Sequence, residues 1–209
     1  MGIDIFLAEQ LLTIESIKVN VEKPFQWASG WKSPIYCDNR KILAYPKIRN
    51  IVVESFCKEI KNNFSNTELI AGVATAGIAW GALIAHELNL PFCYVRPQPK
   101  SHGLAKQVEG DYKANQKVIV IEDLISTGKS SIKVIQVLKD LSLQVNGLLS
   151  IFNYGFDEAV DAFKNENVTT FSLSNFNALI QKAMEQNIIK NTDITIINQW
   201  RKNPSEWSI

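Results

Sequence analysis

The chain has 209 residues, 46% of them hydrophobic and 21% charged, a length that suits one domain with a sizeable core. Its 22 Lys and Arg against 21 Asp and Glu leave a net charge of +1, which offers no electrostatic footprint for nucleic acid or an anionic membrane. Ten Gly and seven Pro are too few for a collagen-like or disordered chain, and three cysteines with two histidines and no CxxC argue against a disulfide framework or a zinc site.

Unpaired cysteines fit a reducing compartment, and the cytoplasm is the expected location. The N-terminus, MGIDIFLAEQ, has acids at Asp4 and Glu9 and no basic stretch before an apolar run, so it does not read as a signal peptide. Ile5, Leu11, Leu12 and Ile14 instead give an amphipathic helix opening after Gly2. From Pro24 to Arg40 the pattern is irregular yet rich in aromatics, which predicts an ordered loop with a short strand at Ile35–Cys37. Pro46 opens a second helix with an apolar stripe through Ile48, Val52, Phe56 and Ile60.

Short apolar runs at Leu69–Val73, Phe92–Arg96, Lys117–Ile121, Val145–Phe152 and Val168–Leu173 read as strands. Helical patterns at Ile78–Leu88, at Ser130–Leu141 and before Val168 alternate with them. The uncharged stretch Leu69–Ala85 is shorter than the roughly 20 residues of a membrane span, and Gly72, Gly77 and Gly81 interrupt it. A strand, a glycine turn and a helix account for it better. This alternation predicts a single α/β domain over 1–209, its mainly parallel sheet flanked by helices. The core runs from about 46 to 175, with a small hood built from about 1–45 and the C-terminal tail. The longest break, Pro97–Asn115, gathers Lys100, His102, Lys106 and Lys113, and reads as a lid over an anionic ligand.

The sharpest signal is VIVIEDLISTGKSS, residues 118–131. An apolar strand ends in Glu122 and Asp123, and a Ser126-Thr127-Gly128 turn opens a helix. Ligands of open α/β sheets sit at such strand ends. Hydroxyls and backbone N–H groups at a helix N-terminus hold a phosphate. Two acids would repel a bare phosphate, so the ligand should also offer hydroxyls or a divalent cation, as a phosphorylated ribose does. Gly128-Lys129-Ser130 is not the end of a P-loop, because the required first glycine falls on Asp123.

This segment resembles the phosphoribosyl-diphosphate (PRPP) signature of type I phosphoribosyltransferases. Two further stretches, FQWASGWKSPIYCDNR (25–40) and YVRPQPKSHGLAKQVEG (94–110), together with the GVATAG turn at 72–77, narrow the resemblance to the orotate phosphoribosyltransferases over roughly residues 5–203. The resemblance implies a type I phosphoribosyltransferase-like core. It implies transfer of ribose 5-phosphate from PRPP to orotate, giving orotidine 5′-monophosphate and pyrophosphate in pyrimidine synthesis. It puts Arg96, Lys100 and His102 on the pyrophosphate, with Arg96 contributed across a homodimer interface that shares the active sites. Glu122, Asp123, Leu124, Ile125, Ser126, Thr127, Gly128, Lys129 and Ser130 would hold the ribose 5-phosphate, and Ser126 would also approach the orotate base. Lys100, His102 and Asp123 would carry the catalysis. Mg²⁺ is implied as cofactor, held mainly by PRPP with no direct protein ligand set.

Departures from the family pattern fall at Ala28, Ala76 and Pro97, where some members carry a cation, and at Phe152-Asn153-Tyr154, where some carry the Arg that holds orotate. Lys32 and Arg40 are candidates for the orotate carboxylate on grounds of charge. Lys129 stands where the family usually has Gly. It costs about 1–2 kcal/mol if the backbone there needs a left-handed conformation, and adds a cation near the phosphate if it is already helical. A phosphoribosyltransferase for another base would keep residues 122–130 but not the other two stretches. A PRPP-sensing regulator would carry a DNA-binding module, and no basic helix-turn-helix is visible.

Overall fold

Apolar residues alternate in direction along the central strands, so both faces of the sheet must be covered. In the computed structural model, which describes residues 2–27, 29–98 and 107–207, they are. The sheet strands are β5 (Leu69–Val73), β6 (Phe92–Val95), β7 (Val108–Glu109), β8 (Lys117–Ile125), β9 (Gln144–Asn153) and β10 (Thr169–Asn175), in the order β10-β9-β8-β5-β6-β7. All neighbours are parallel except β6 and β7, which pair antiparallel. Leu69, Ala71, Val118, Val120 and Leu148 point to one buried cluster, and Ile70, Ile119, Ile121, Leu149 and Ile151 to the other.

The first cluster is covered by α4 (Lys129–Asp140) and α5 (Asp157–Asn165), through Val134, Leu138 and Phe163. The second is covered by α2 (Pro46–Asn63) and α3 (Ala76–Leu88), and by α1 (Ile3–Thr13), α6 (Phe176–Glu185) and α7 (Asn191–Lys202) from the two ends of the chain. α1 packs on α6 and β10, and Trp200 of α7 is fully buried. The N-terminal segment continues as β1 (Ile17–Val19) paired with β4 (Ile35–Cys37), a small hairpin of β2 (Phe25–Gln26) and β3 (Lys32–Ser33), and a 3₁₀ turn at Asn39–Ala44. Both chain ends thus pack on one face of the sheet.

Two boundaries differ from the sequence reading. β8 runs on to Ile125 rather than stopping at Ile121, because Glu122, Leu124 and Ile125 pair with Ser150, Phe152 and Asn153 of a long β9. The acids therefore lie within a strand. The long break after residue 96 is not all loop: β7 returns beside β6, and Val108 is buried. Arg96 and Gln107, at the feet of these two strands, are tied to each other. The Arg96 N–H donates to the Gln107 carbonyl at 2.9 Å, and Gln107 Nε2 donates to the Arg96 carbonyl at 2.7 Å. No helix among the described residues is long and apolar enough to cross a membrane, and residues 69–85 form β5, a turn and most of α3.

The α3 helix can start where it does only because Gly77 lets its backbone lie against β8. A Cβ on Gly77 would strike the Ile121 carbonyl oxygen, and one on Gly72 would sit 2.7 Å from the Gly77 carbonyl oxygen. Gly77→Ala must therefore push α3 off the sheet. The variant is expected to lose on the order of 1–3 kcal/mol of stability, read as a lower urea midpoint at unchanged slope. An unchanged midpoint would mean that this close approach carries no weight.

Candidate active site

Chain direction reverses across β5 and β8. From β5 the chain moves to β6 on one side; from β8 it moves to β9 on the other. The turns leaving these strands open at one edge of the sheet, which is the topological switch point where α/β sheets bind ligands. Residues 74–75 follow β5, Arg96 follows β6, 126–128 follow β8 and Tyr154 follows β9. These turns frame two clefts.

The first cleft, about 440 Å³, lies between the N-terminal segment and the ends of β8 and β9. Trp27, Tyr36, Arg40, Leu124, Ser126 and Tyr154 line it. Its walls are largely aromatic and apolar, and Arg40 brings a guanidinium to it. Asp38 holds that guanidinium, 2.6 Å from Arg40 Nε to Oδ1, and lies below the usual carboxylate range for that reason. Lys32, the other candidate for the orotate carboxylate, is exposed on β3 and is not among the lining residues. Trp27 is fixed by an indole N–H donated to the Ile35 carbonyl at 3.1 Å. Cys37 also lines this cleft and is only half buried, unlike the packing residue that its type alone suggests; Cys57 and Cys93 are buried.

The second cleft, about 200 Å³, lies on the other side, between the ends of β5 and β6 and the start of α4. Ala74, Arg96, Gln107, Lys129, Ser130 and Lys133 border it. Arg96 is turned toward Glu109, with Nη1 3.5 Å from Oε1. Lys133 escaped the sequence reading, although its place one turn after Lys129 puts both amines on one side of α4. Lys100 and His102 lie outside the described residues.

Between the clefts run the acids and the turn. Gly128 is the N-cap of α4 at φ +75°, a left-handed conformation suited to glycine, and Lys129 is the first residue of the helix. Lys129 is therefore helical and unstrained, and its amine pairs with Glu158 at 3.0 Å, both side chains well exposed. Ser126 and Thr127 are half buried, Ser130 is exposed, and Ile125 is fully buried beneath them. Each non-proline residue of the first turn leaves an N–H without an intrahelical partner, facing an incoming anion.

The two acids take different places. Glu122 is turned inward and only 5% exposed; its oxygens accept from the Asp123 N–H at 3.0 Å and the Ser131 hydroxyl at 3.2 Å. Asp123 is half buried, and its carbonyl accepts 2.8 Å from Asn39 Nδ2, a joint between the N-terminal segment and β8. Burial first, and then the charge of Asp123, pushes the Glu122 carboxyl well above the usual carboxylate range. Burial raises Asp123 as well, opposed by the hydrogen bond from Glu122 and the charge of Arg40. Of the two carboxyls, Glu122 is therefore raised the further.

A phosphoribosyl transferase domain matches residues 39–186. The chain is similar to the orotate phosphoribosyltransferase of Cytophaga hutchinsonii, 46% identical over 201 residues and covering 96% of each chain. The chain belongs to the orotate phosphoribosyltransferase family. Its fold is also similar to the crystal structure of orotate phosphoribosyltransferase from Aeropyrum pernix, with a TM-score of 0.71, 25% identity, and coverage of 87% of this chain and 99% of that one. It is similar to the Leishmania donovani UMP synthase structure as well, with a TM-score of 0.77 and 26% identity, covering 95% of this chain but only 43% of that longer one. The type I phosphoribosyltransferase resemblance drawn from residues 25–40, 72–77, 94–110 and 118–131 is thereby shown to be one of family.

A raised carboxylate value has a consequence for stability. Above the ordinary carboxylate pKa the folded chain still holds a proton at Glu122 that the unfolded chain has released, so stability falls as pH rises toward the folded value. Glu122→Gln cannot ionise. Between about pH 5 and about pH 8 the melting temperature of the wild type is therefore expected to fall relative to that of the variant. Parallel curves would mean that Glu122 ionises normally in the fold.

Proposed function

We propose that the protein transfers ribose 5-phosphate from PRPP to orotate, releasing pyrophosphate and forming orotidine 5′-monophosphate for pyrimidine nucleotide synthesis. The observation that carries this reading is the order of parts along the strand ends: an aromatic cleft with an arginine, then an acid and a helix-opening turn, then a cleft bordered by cations. A base, a phosphorylated ribose and a pyrophosphate follow one another in that order.

In this reading the Ser126–Ser130 turn takes the 5-phosphate, and Asp123 takes a ribose hydroxyl with Glu122 supporting it from behind. Ser126 and Arg40 face the base, with Arg40 preferred over Lys32 for the carboxylate because it lines the cleft. Arg96, Lys100 and His102 serve the pyrophosphate, the last two by resemblance. The hard step is cleavage at C1′, which builds positive charge on the ribose ring and negative charge on the leaving group. Asp123 steadies the first, and Arg96 and the loop cations steady the second. Mg²⁺, when bound, would neutralise pyrophosphate charge. A half-buried Asp123 beside a Glu122 turned inward and hydrogen-bonded to Ser131 suits an ion held by substrate oxygens and water better than one caged by protein. The reading makes the protein a cytoplasmic homodimer of single-domain chains with shared sites.

A base panel tests the substrate. With PRPP and Mg²⁺, orotate alone among orotate, uracil, hypoxanthine and adenine should release pyrophosphate; comparable turnover of another base would overturn the assignment. Mixing tests the shared site. Inactive Arg96→Ala and inactive Asp123→Asn should complement each other, because hybrid dimers contain one site with both wild-type residues. Recovery is capped near about a quarter of wild-type activity under statistical exchange. Subunits that exchange and stay inactive would place Arg96 in its own chain's site.

A further inference from the structure

Asn39 opens the 3₁₀ turn and is fully buried. Its side-chain amide is committed on both sides. Oδ1 accepts from the Ser16 hydroxyl and the Cys37 thiol, each at 3.3 Å, and Nδ2 donates to the Asp123 carbonyl at 2.8 Å. Reversing the amide would set its oxygen against that carbonyl, so its orientation is fixed. The bond falls where the strand pairing leaves room for it. β8 and β9 pair at Glu122 with Ser150, at Leu124 with Phe152 and at Ile125 with Asn153, and this register omits Asp123. The backbone that carries the Asp123 carboxyl is held here by a side chain 84 residues away. Next to Asn39 in the chain, Arg40 lines the aromatic cleft and is held by Asp38. Asn39 thus joins the turn that carries Arg40 to the strand that carries Asp123. An apolar side chain would fill the same space without making that tie.

We propose that Asn39 is a positioning residue for the transfer, one that sets the ribose at a fixed distance from the base; the inference rests on the function proposed above. In that reading the base is held from the N-terminal segment through Arg40, and the ribose from β8 through Asp123. Attack at C1′ needs the reacting atoms about 3–3.5 Å apart and in line. Any slack between the two supports passes directly into that distance, and a displacement of about 1 Å costs on the order of 100-fold in rate. Binding of each substrate alone is affected far less, because each keeps its own contacts. All three hydrogen bonds of the Asn39 amide go to protein groups. It acts through Asp123 and Arg40 and not on a substrate.

Asn39→Ala removes the tie, and Asn39→Leu removes it while keeping the space filled, so that loss of folding in the first leaves the second to be measured. With both substrates saturating, the single-turnover rate should fall about tenfold or more, with the KM for orotate and for PRPP each within about threefold of wild type. Ser16→Ala controls for a role in folding alone: it takes a hydroxyl from the same buried group and leaves the Asn39–Asp123 bond in place. Its rate should stay within about twofold of wild type, whatever its melting temperature. A rate for the Asn39 variants within about twofold of wild type would overturn the proposal. So would a rate for Ser16→Ala lowered as far as theirs, or a raised KM for one substrate at an unchanged rate. Wild-type protein in the same assay separates this inference from its premise. Wild-type turnover of orotate with unaffected Asn39 variants removes the Asn39 role alone, whereas absence of turnover in the wild type removes both readings.

Discussion

Because β5 pairs in parallel with β8, the turns that leave these two strands must open side by side on one edge of the sheet. Everything else at the site is arranged around that edge. Gly72 and Gly77 allow the backbone of α3 to approach both strands, so the turn at residues 74–75 stays close to the β8 end. The chain then departs to opposite sides, and β6 and β9 carry Arg96 and Tyr154 to the two flanks. A ligand with three chemically distinct parts can be spanned by such an edge without any single long loop.

The acid pair shows how burial changes a charge count. Glu122 and Asp123 look like two negative charges beside a phosphate turn, an unfavourable arrangement. The pleat sends them in different directions: Glu122 is buried on Ser131, and burial raises its carboxyl well above the usual range. The carboxyl that the pair leaves open to a ligand is that of the half-buried Asp123. Asn39 fixes the strand at that residue and also accepts from Ser16 and Cys37, so the N-terminal segment and the acids move together.

Much of this was legible in the amino-acid order. The strands at 69–73 and 35–37 fall where apolar runs are bounded by turn residues, and the phosphate turn is readable because Ser-Thr-Gly after an acidic strand end is a local device. Other features were not legible. The extension of β8 through two carboxylates depends on β9 being long enough to pair with it. The short β7 exists only because β6 offers it an edge, and its two residues carry no period of their own. The aromatic cleft draws Trp27, Tyr36 and Leu124 from segments about a hundred residues apart, and only packing tells which aromatics face a ligand and which fill the core.

The sequence by itself determined the class of fold, the family and the chemistry of the central turn, because each rests on local periodicity or on residues adjacent in the chain. Tertiary structure decided the rest. It placed Arg40 rather than Lys32 at the cleft, made Lys129 helical, buried Glu122 while leaving Asp123 half open, and left the Tyr154 hydroxyl without a hydrogen-bond partner among the described residues. The physical reason is common to all four. Exposure, partner and charge state are set by what packs against a side chain, and here those neighbours come from distant parts of the chain or from a turn of the backbone that the residue type does not encode.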